Sequence, residues 1–166
     1  MHDLILIGLP ASGKTSVGRV LARRLDMPFY DCDQAIEDAQ GQSVSAIFSQ
    51  HGELFFRDAE SRMLEELCRR ERCVIATGGG AVLRQENRLL LRRSGTVFWL
   101  DRPLKDIMST DFQAGRPLLT EGQDALARLA AERRPLYGAC AHHRIPEPLL
   151  EKAAADIETI WRGEKP

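Results

Sequence analysis

The chain has 166 residues, of which 43% are hydrophobic and 28% are charged, and its formal net charge is −1. These values are typical of one globular domain, so we expect a single domain over residues 1–166. The small net charge gives no electrostatic basis for binding nucleic acid or a membrane surface. No apolar run is long enough to cross a bilayer, no signal peptide is recognisable, and the four cysteines lack metal-type spacing. We therefore expect a cytoplasmic protein with reduced thiols.

Short apolar strands alternate with helical segments along the chain. The predicted strands are Leu4–Ile7, Pro28–Asp31, Cys73–Thr77 and Thr96–Leu100. The predicted helices are Lys14–Asp26, Gly52–Arg70, Gln85–Arg93 and Asp124–Tyr137. Strands separated by helix-length segments predict an α/β fold with a parallel sheet between two layers of helices. The polar, glycine-containing stretch Asp111–Asp124 interrupts this rhythm and is typical of either a surface loop or a lid.

The segment GLPASGKTS, residues 8–16, follows the first strand and matches the phosphate-binding loop Gly-x-x-x-x-Gly-Lys-Thr. Its glycines let backbone amides point inward at an anion, and the next helix adds its partly positive N-terminus. A chance Gly-rich turn is the alternative, but apolar residues at helical spacing follow the loop directly. The predicted phosphate site comprises Gly8, Leu9, Pro10, Ala11, Ser12, Gly13, Lys14, Thr15 and Ser16.

Two carboxylates, Asp31 and Asp33, lie where the second predicted strand ends. Alternate strand residues face one side, and ligands of parallel sheets bind at the carboxyl ends of strands. Two carboxylates close together favour a bound cation, so one could hold Mg²⁺ through water while the other accepts a hydroxyl proton. The alternative is a helix N-cap followed by a solvated aspartate.

Three further motifs carry arginines or glycines. In GELFFRDAE, residues 52–60, Arg57 and Glu60 have the spacing of a helical ion pair, which would be an ordinary surface pair or a means of orienting the guanidinium. TGGGAV, residues 77–82, is either a flexible turn or a place where a ligand approaches the backbone closely. GRPLL contains Arg116 and ERRPLY contains Arg133 and Arg134, any of which could neutralise an anionic ligand.

In this order, GLPASGKT, DCD, GELFFRDAE, ATGGGAV, GRPLL and RRPLY resemble the motifs of the shikimate kinases, from Leu4 to about Ala141. The resemblance implies a three-layer P-loop kinase fold, with a five-stranded parallel sheet flanked by helices and a mobile lid at about residues 109–124. It implies transfer of a phosphoryl group from ATP to shikimate, with Mg²⁺ as cofactor, on the route to aromatic amino acids. It implies shikimate and ATP as partners, and we expect a monomer that binds neither nucleic acid nor membrane.

The resemblance also implies a role for individual residues. Asp33 would bind substrate hydroxyls and act as the base, while Lys14 and Arg116 would stabilise the transferred phosphoryl group. Thr15 would coordinate Mg²⁺, and Asp31 would support the metal through water. The implied substrate-binding residues are Asp33, Phe48, Phe56, Arg57, Gly78, Gly79, Gly80 and Arg133.

Two departures from the family pattern concern the nucleotide base. The family commonly has an arginine that packs on adenine about seven positions before the lid motif, but here no arginine lies between Arg102 and Arg116. The segment AHHRIPEPLLEKAA also looks shortened. Two other functions stay open: a kinase of the same fold for another small hydroxy acid such as gluconate, and a non-catalytic ligand sensor. A sensor would be expected to lack Lys14 or Asp33, and both are present.

Overall fold

The computed structural model describes residues 3–108, 123–147 and 149–163. Its strands are β1 (Asp3–Ile7), β2 (Phe29–Asp31), β3 (Val74–Ala76), β4 (Gly95–Leu100) and β5 (His143–Ile145). Its helices are α1 (Lys14–Leu25), α2 (Cys32–Gln40), α3 (Val44–Leu67), α4 (Gln85–Ser94), α5 (Leu104–Met108), α6 (Gln123–Cys140) and α7 (Leu150–Gly163). Of the predicted lid, all but the last two positions lie outside the described residues, and so does Arg116.

The five strands form one parallel sheet in the order β2-β3-β1-β4-β5. β1 is central, and Leu4 to Ile7 are fully buried. Because side chains alternate along a strand, Ile5 and Ile7 face one core cluster while Leu4 and Leu6 face the other. This alternation explains why a run of four apolar residues forms the middle strand of a sheet covered on both faces.

Helices cover both faces of the sheet and make the three layers. α1 and α7 pack together on one face, where Val17 and Ile157 belong to the same core cluster. α2, α3, α4 and α6 cover the other face, with Ile47, Leu91 and Leu126 in its cluster. The predicted α/β fold with a five-stranded parallel sheet is confirmed. None of the described helices is both long and apolar enough to span a membrane.

The predicted strands agree with the structure, whereas several helices and one strand differ from the prediction. All four predicted strands exist, and each of their ends lies within one residue of the expected position. The short strand β5 and the helices α2, α5 and α7 were not predicted from periodicity. α3 begins at Val44, but Gly52 (φ 81°, ψ 173°) has non-helical angles, so α3 consists of two helices that meet at a kink, and the second begins where the sequence predicts a helix start. α6 continues through Pro135 to Cys140, three residues beyond the predicted end.

Candidate active site

The phosphate-binding loop connects β1 to α1 as its sequence predicts. Ala11 has φ 60° and Gly13 has φ 95°, so the chain turns through left-handed conformations before the helix begins. Gly13 occupies the N-cap of α1, and no side-chain oxygen caps this helix. Helix ends of this kind bind anions, because the first backbone N–H groups point outward and carry partial positive charge. The local geometry is therefore that of a phosphate site.

Lys14, the first residue of α1, folds back over this loop. Its ammonium donates to the backbone oxygens of Gly8 at 2.9 Å and Leu9 at 2.8 Å, and Nζ lies 3.5 Å from Ser12 Oγ. The residue is 6% exposed. A positive charge is thus held within the loop that would surround a phosphate group.

Asp31 joins the phosphate loop to the start of α2. Thr15 Oγ1 donates to Asp31 Oδ2 at 2.5 Å. Asp31 Oδ1 accepts from the backbone N–H groups of Asp33 at 3.1 Å and Gln34 at 3.3 Å. Asp31 is therefore the N-cap of α2, which was the alternative interpretation of this aspartate. A hydroxyl and a carboxylate in contact are hard oxygen donors of the kind Mg²⁺ takes, with water and phosphate completing the coordination.

Asp33 lies in the first turn of α2 rather than on β2. The prediction that Asp31 and Asp33 are alternate strand residues is therefore wrong in its geometry, because the strand ends at Asp31 and the helix follows at once. Both side chains nevertheless line the same cavity. A Cβ atom on Gly78 would lie 2.7 Å from Asp33 Oδ1 and 2.5 Å from Glu60 Oε1, so glycine allows both carboxylates to approach this point.

Glu60 is fully buried and lies next to Arg57 and near Asp33. Burial raises the pKa of its carboxyl group, the charge of Asp33 raises it further, and Arg57 opposes both effects. Oε2 accepts from Arg57 Nη1 at 2.7 Å, whereas Oε1 is buried with no hydrogen-bond partner among the described residues. Buried polar atoms without partners are rare in native proteins and often mark a place for a polar ligand or water.

Arg57 presents a buried guanidinium to the cavity. Its Cζ lies 5.2 Å from the ring centroid of Phe56 and 5.8 Å from that of Phe48. A Cβ atom on Gly80 would lie 2.3 Å from the same Cζ, so only glycine allows this approach. Burial lowers the pKa of Arg57, but its pKa is raised overall because the carboxylates of Glu60 and Glu53 outweigh that effect. The group is a permanent positive charge held between aromatic rings and backbone.

Arg133 supplies a second buried guanidinium from α6 and is only 3% exposed. Its Nε and Nη1 atoms have no hydrogen-bond partner among the described residues. One helical turn later, the hydroxyl of Tyr137 donates to the backbone oxygen of Gly79 at 2.5 Å. Burial raises the pKa of the Tyr137 hydroxyl, although the nearby Arg133 guanidinium lowers it, so the phenol is neutral and serves as a donor. Tyr137 thus ties α6 to the glycine run.

One cavity of about 470 Å³ is lined by all eight predicted substrate-binding residues. Its walls include Thr15, Asp31, Asp33, Phe48, Phe56, Arg57, Glu60, Gly78, Gly79, Gly80 and Arg133. Of the phosphate loop itself, only Pro10 and Thr15 reach this cavity, so the loop lies at its edge. Arg134 is directed elsewhere and donates to Asp101 Oδ1 at 2.9 Å, which supports the choice of Arg133 for the site.

Two residues that contact the predicted substrate-binding residues were not assigned a role from the sequence. Glu53 Oε1 lies 3.3 Å from both Nε and Nη2 of Arg57, and Tyr137 anchors Gly79. Each lies four positions from a predicted arginine, which places it on the same helix face. This four-residue spacing was the feature of the sequence that could have identified both residues.

Comparisons with known proteins show which family this chain resembles. Residues 10–161 match the protein-family model described as shikimate kinase. A shikimate kinase from Symbiobacterium thermophilum is 47% identical, over 98% of this chain and 99% of its own length. Another, from Ralstonia nicotianae, is 49% identical over 86% of this chain and 76% of its own length. The solved shikimate kinase from Acinetobacter baumannii in complex with shikimate has a TM-score of 0.93 at 33% identity, covering 100% of this chain and 96% of that chain.

Proposed function

The chain belongs to the shikimate kinase family, and from that premise we propose how its own residues carry out the reaction. The activity is transfer of the γ-phosphoryl group of ATP to shikimate, which gives shikimate 3-phosphate and ADP in the biosynthesis of aromatic compounds. The observation that carries the assignment of the acceptor site is the pair of buried guanidiniums, Arg57 and Arg133, in one cavity with Asp33.

Arg57 and Arg133 bind the carboxylate of shikimate. A planar carboxylate matches the forked donors of a guanidinium, which lysine cannot imitate. The two partnerless nitrogens of Arg133 support this role, because a carboxylate oxygen would satisfy donors that are otherwise buried at a cost. Phe48 and Phe56 cover the apolar part of the ring, and their centroids lie 4.7 Å apart.

Asp33 accepts the proton of the attacking hydroxyl. As the proton moves to the Asp33 carboxylate, the hydroxyl oxygen bonds to the γ-phosphorus and the bond to the bridging oxygen of ADP breaks. Phosphoryl transfer needs mainly positioning and neutralisation of charge, which Lys14 supplies from the phosphate loop. Arg116 as a second source of positive charge, from a mobile lid, stays a prediction from the sequence.

Thr15 and Asp31 would hold Mg²⁺, the hydroxyl directly and the carboxylate through water. The 2.5 Å hydrogen bond between them supports this assignment, because it brings two hard oxygen atoms together beside the phosphate loop. When bound, the metal ion would neutralise charge on the phosphates of ATP. A single domain over residues 1–166, a monomeric state and a cytoplasmic location likewise stay predictions from the sequence.

A coupled assay of ADP release tests the acceptor. The purified protein is supplied with ATP, Mg²⁺ and either shikimate, quinate, gluconate or no acceptor. We expect turnover with shikimate at least ten times faster than with the others. Equal or faster turnover of gluconate would contradict the proposal and favour the alternative hydroxy-acid kinase.

A variant tests the role of Asp33. Asp33→Asn keeps the size of the side chain but removes the charge and most of the basicity, so kcat should fall by ~10²-fold or more. ATP binding, measured without shikimate, should persist. Near-normal turnover by the variant would show that another group accepts the proton.

A further inference from the structure

Each nitrogen of the Arg57 guanidinium has a carboxylate beside it. Nη1 donates to Glu60 Oε2 at 2.7 Å, and both Nε and Nη2 lie 3.3 Å from Glu53 Oε1. The edge formed by Nε and Nη2 presents two parallel N–H groups, which is the geometry that binds a carboxylate through both of its oxygens. Glu53 therefore lies on one of the two edges that a substrate carboxylate could use.

The two glutamates hold Arg57 in very different ways. The side chain of Glu60 is fully buried, and its contact is short. The side chain of Glu53 is 55% exposed, and a single oxygen reaches both nitrogens at a long distance. Long contacts from an exposed carboxylate are weak, because water competes for the same groups. Glu60 is thus a permanent partner of Arg57, whereas Glu53 can be replaced.

The position of Glu53 follows from the kink in α3. Gly52 has φ 81° and ψ 173°, so the helix restarts at Glu53. Glu53 and Arg57 are then separated by one helical turn, with the glutamate nearer the N-terminus, which is the favourable order for an ion pair. The contact therefore forms without any ligand and requires no rearrangement of the backbone.

The net charge of the carboxylates and guanidiniums around Arg57 also disfavours binding of an anionic ligand as long as Glu53 stays in contact with Arg57. Glu53, Glu60 and Asp33 place three carboxylates around the guanidiniums of Arg57 and Arg133, a formal excess of one negative charge. A bound carboxylate would add another. If it replaces Glu53 at Arg57, the glutamate returns to water, and the number of carboxylates on the guanidinium is unchanged.

We propose that Glu53 is a built-in competitor for the substrate carboxylate. In the empty site it occupies the Nε–Nη2 edge of Arg57, and shikimate displaces it on binding. This inference rests on the proposed function and adds a residue that sets the affinity and selectivity for anionic acceptors. The simpler explanation is an ordinary helical ion pair that only stabilises α3, and the experiment separates the two.

The test measures shikimate affinity by calorimetry in the absence of nucleotide. Glu53→Gln keeps the shape and removes the charge, and Glu53→Ala removes the competing oxygen altogether. We expect both variants to bind shikimate roughly two- to fivefold more tightly, the range that an exposed ion pair can supply. Glu65→Gln, an exposed glutamate on the same helix with no ion pair among the described residues, is the control and should bind as the unaltered protein does.

The methyl ester of shikimate provides the second arm. Since the ester carries no charged carboxylate, removing Glu53 should leave its affinity unchanged. Unchanged or weaker shikimate binding by both Glu53 variants would overturn the inference and leave an ordinary ion pair. Equal tightening for acid and ester would overturn it as well. Failure of the unaltered protein to bind and phosphorylate shikimate would instead overturn the proposed function, and the inference with it.

Discussion

Replacing Gly80 by alanine tests the position of Arg57 without altering any charge. The new Cβ atom would lie 2.3 Å from Cζ and Nη1 of Arg57 and 2.4 Å from Nη2, whereas ordinary contacts begin at 3.4 Å. Because φ of Gly80 lies outside the left-handed region, alanine adds no backbone strain. The guanidinium must therefore retreat by about 1 Å, away from the position in which Glu60 holds it.

A displacement of this size in a binding group can cost ~10²-fold in rate. We accordingly expect kcat/KM for shikimate to fall by about 10²-fold in Gly80→Ala, equivalent to ~2.7 kcal/mol of lost transition-state stabilisation. The measurement is the steady-state rate of ADP release against shikimate concentration at saturating ATP. ATP binding without shikimate should be unaffected, because the clash involves the acceptor side of the cavity.

Gly163→Ala is the matched control, since a Cβ there meets nothing within 4 Å. It should leave kcat/KM unchanged, and thermal unfolding should show that both variants are folded. A folded Gly80→Ala enzyme with kcat/KM within threefold of the unaltered protein would refute the reasoning. It would mean that Arg57 does not bind substrate from the position seen in the structure.

Three further predictions concern other parts of the molecule. Arg133→Lys loses the forked donors of the guanidinium, so kcat/KM for shikimate should fall by an amount equivalent to ~2–4 kcal/mol of transition-state stabilisation. A loss equivalent to less than ~1 kcal/mol would show that Arg133 does not bind the carboxylate. Burial raises the pKa of the Asp3 carboxyl group in the folded state, so its contribution to stability is present at low pH and lost as pH rises through the folded pKa. Urea unfolding should therefore show the stability of the unaltered protein, relative to Asp3→Asn, falling as pH rises above the ordinary carboxyl pKa of 3.8. A difference that stays constant with pH would contradict this. Only residues 146–149 separate β5 from α7, which leaves few groups that could form hydrogen bonds specific for adenine. GTP should therefore support a kcat/KM within about thirtyfold of that for ATP, and a preference for ATP of about a thousandfold would refute this.

The sequence was sufficient for the elements that depend on local pattern. The run Leu4–Ile7 predicted a strand buried on both sides, and the loop and helix after it followed from glycine spacing and apolar periodicity. Six ordered motifs predicted the family, which the comparisons confirm, and through the family the residues that line one cavity. These features are readable because each is encoded by residues close together in the chain.

The missed elements have physical reasons of their own. β5 contains only three residues, His143–Ile145, and two of them are polar. His143 is held by stacking on Phe98, with ring centroids 5.2 Å apart. Arg144 donates to Asp101 at 2.7 Å and lies over the Trp99 ring. With one apolar residue, such a strand shows no hydrophobic alternation, and its contacts come from β4 and Asp101, more than 40 positions earlier.

Only the tertiary structure decided how the site groups are arranged. Asp31 caps α2 and Asp33 follows in the first helical turn, so their convergence comes from a strand-to-helix junction and not from strand alternation. The contact between Arg57 and Gly80 joins segments more than 20 residues apart. Local sequence encodes which side chains are available, whereas their distances depend on how separate segments pack. Glu53 shows the difference: its spacing from Arg57 is local, but the position of Arg57 in the wall of a cavity is visible only after folding.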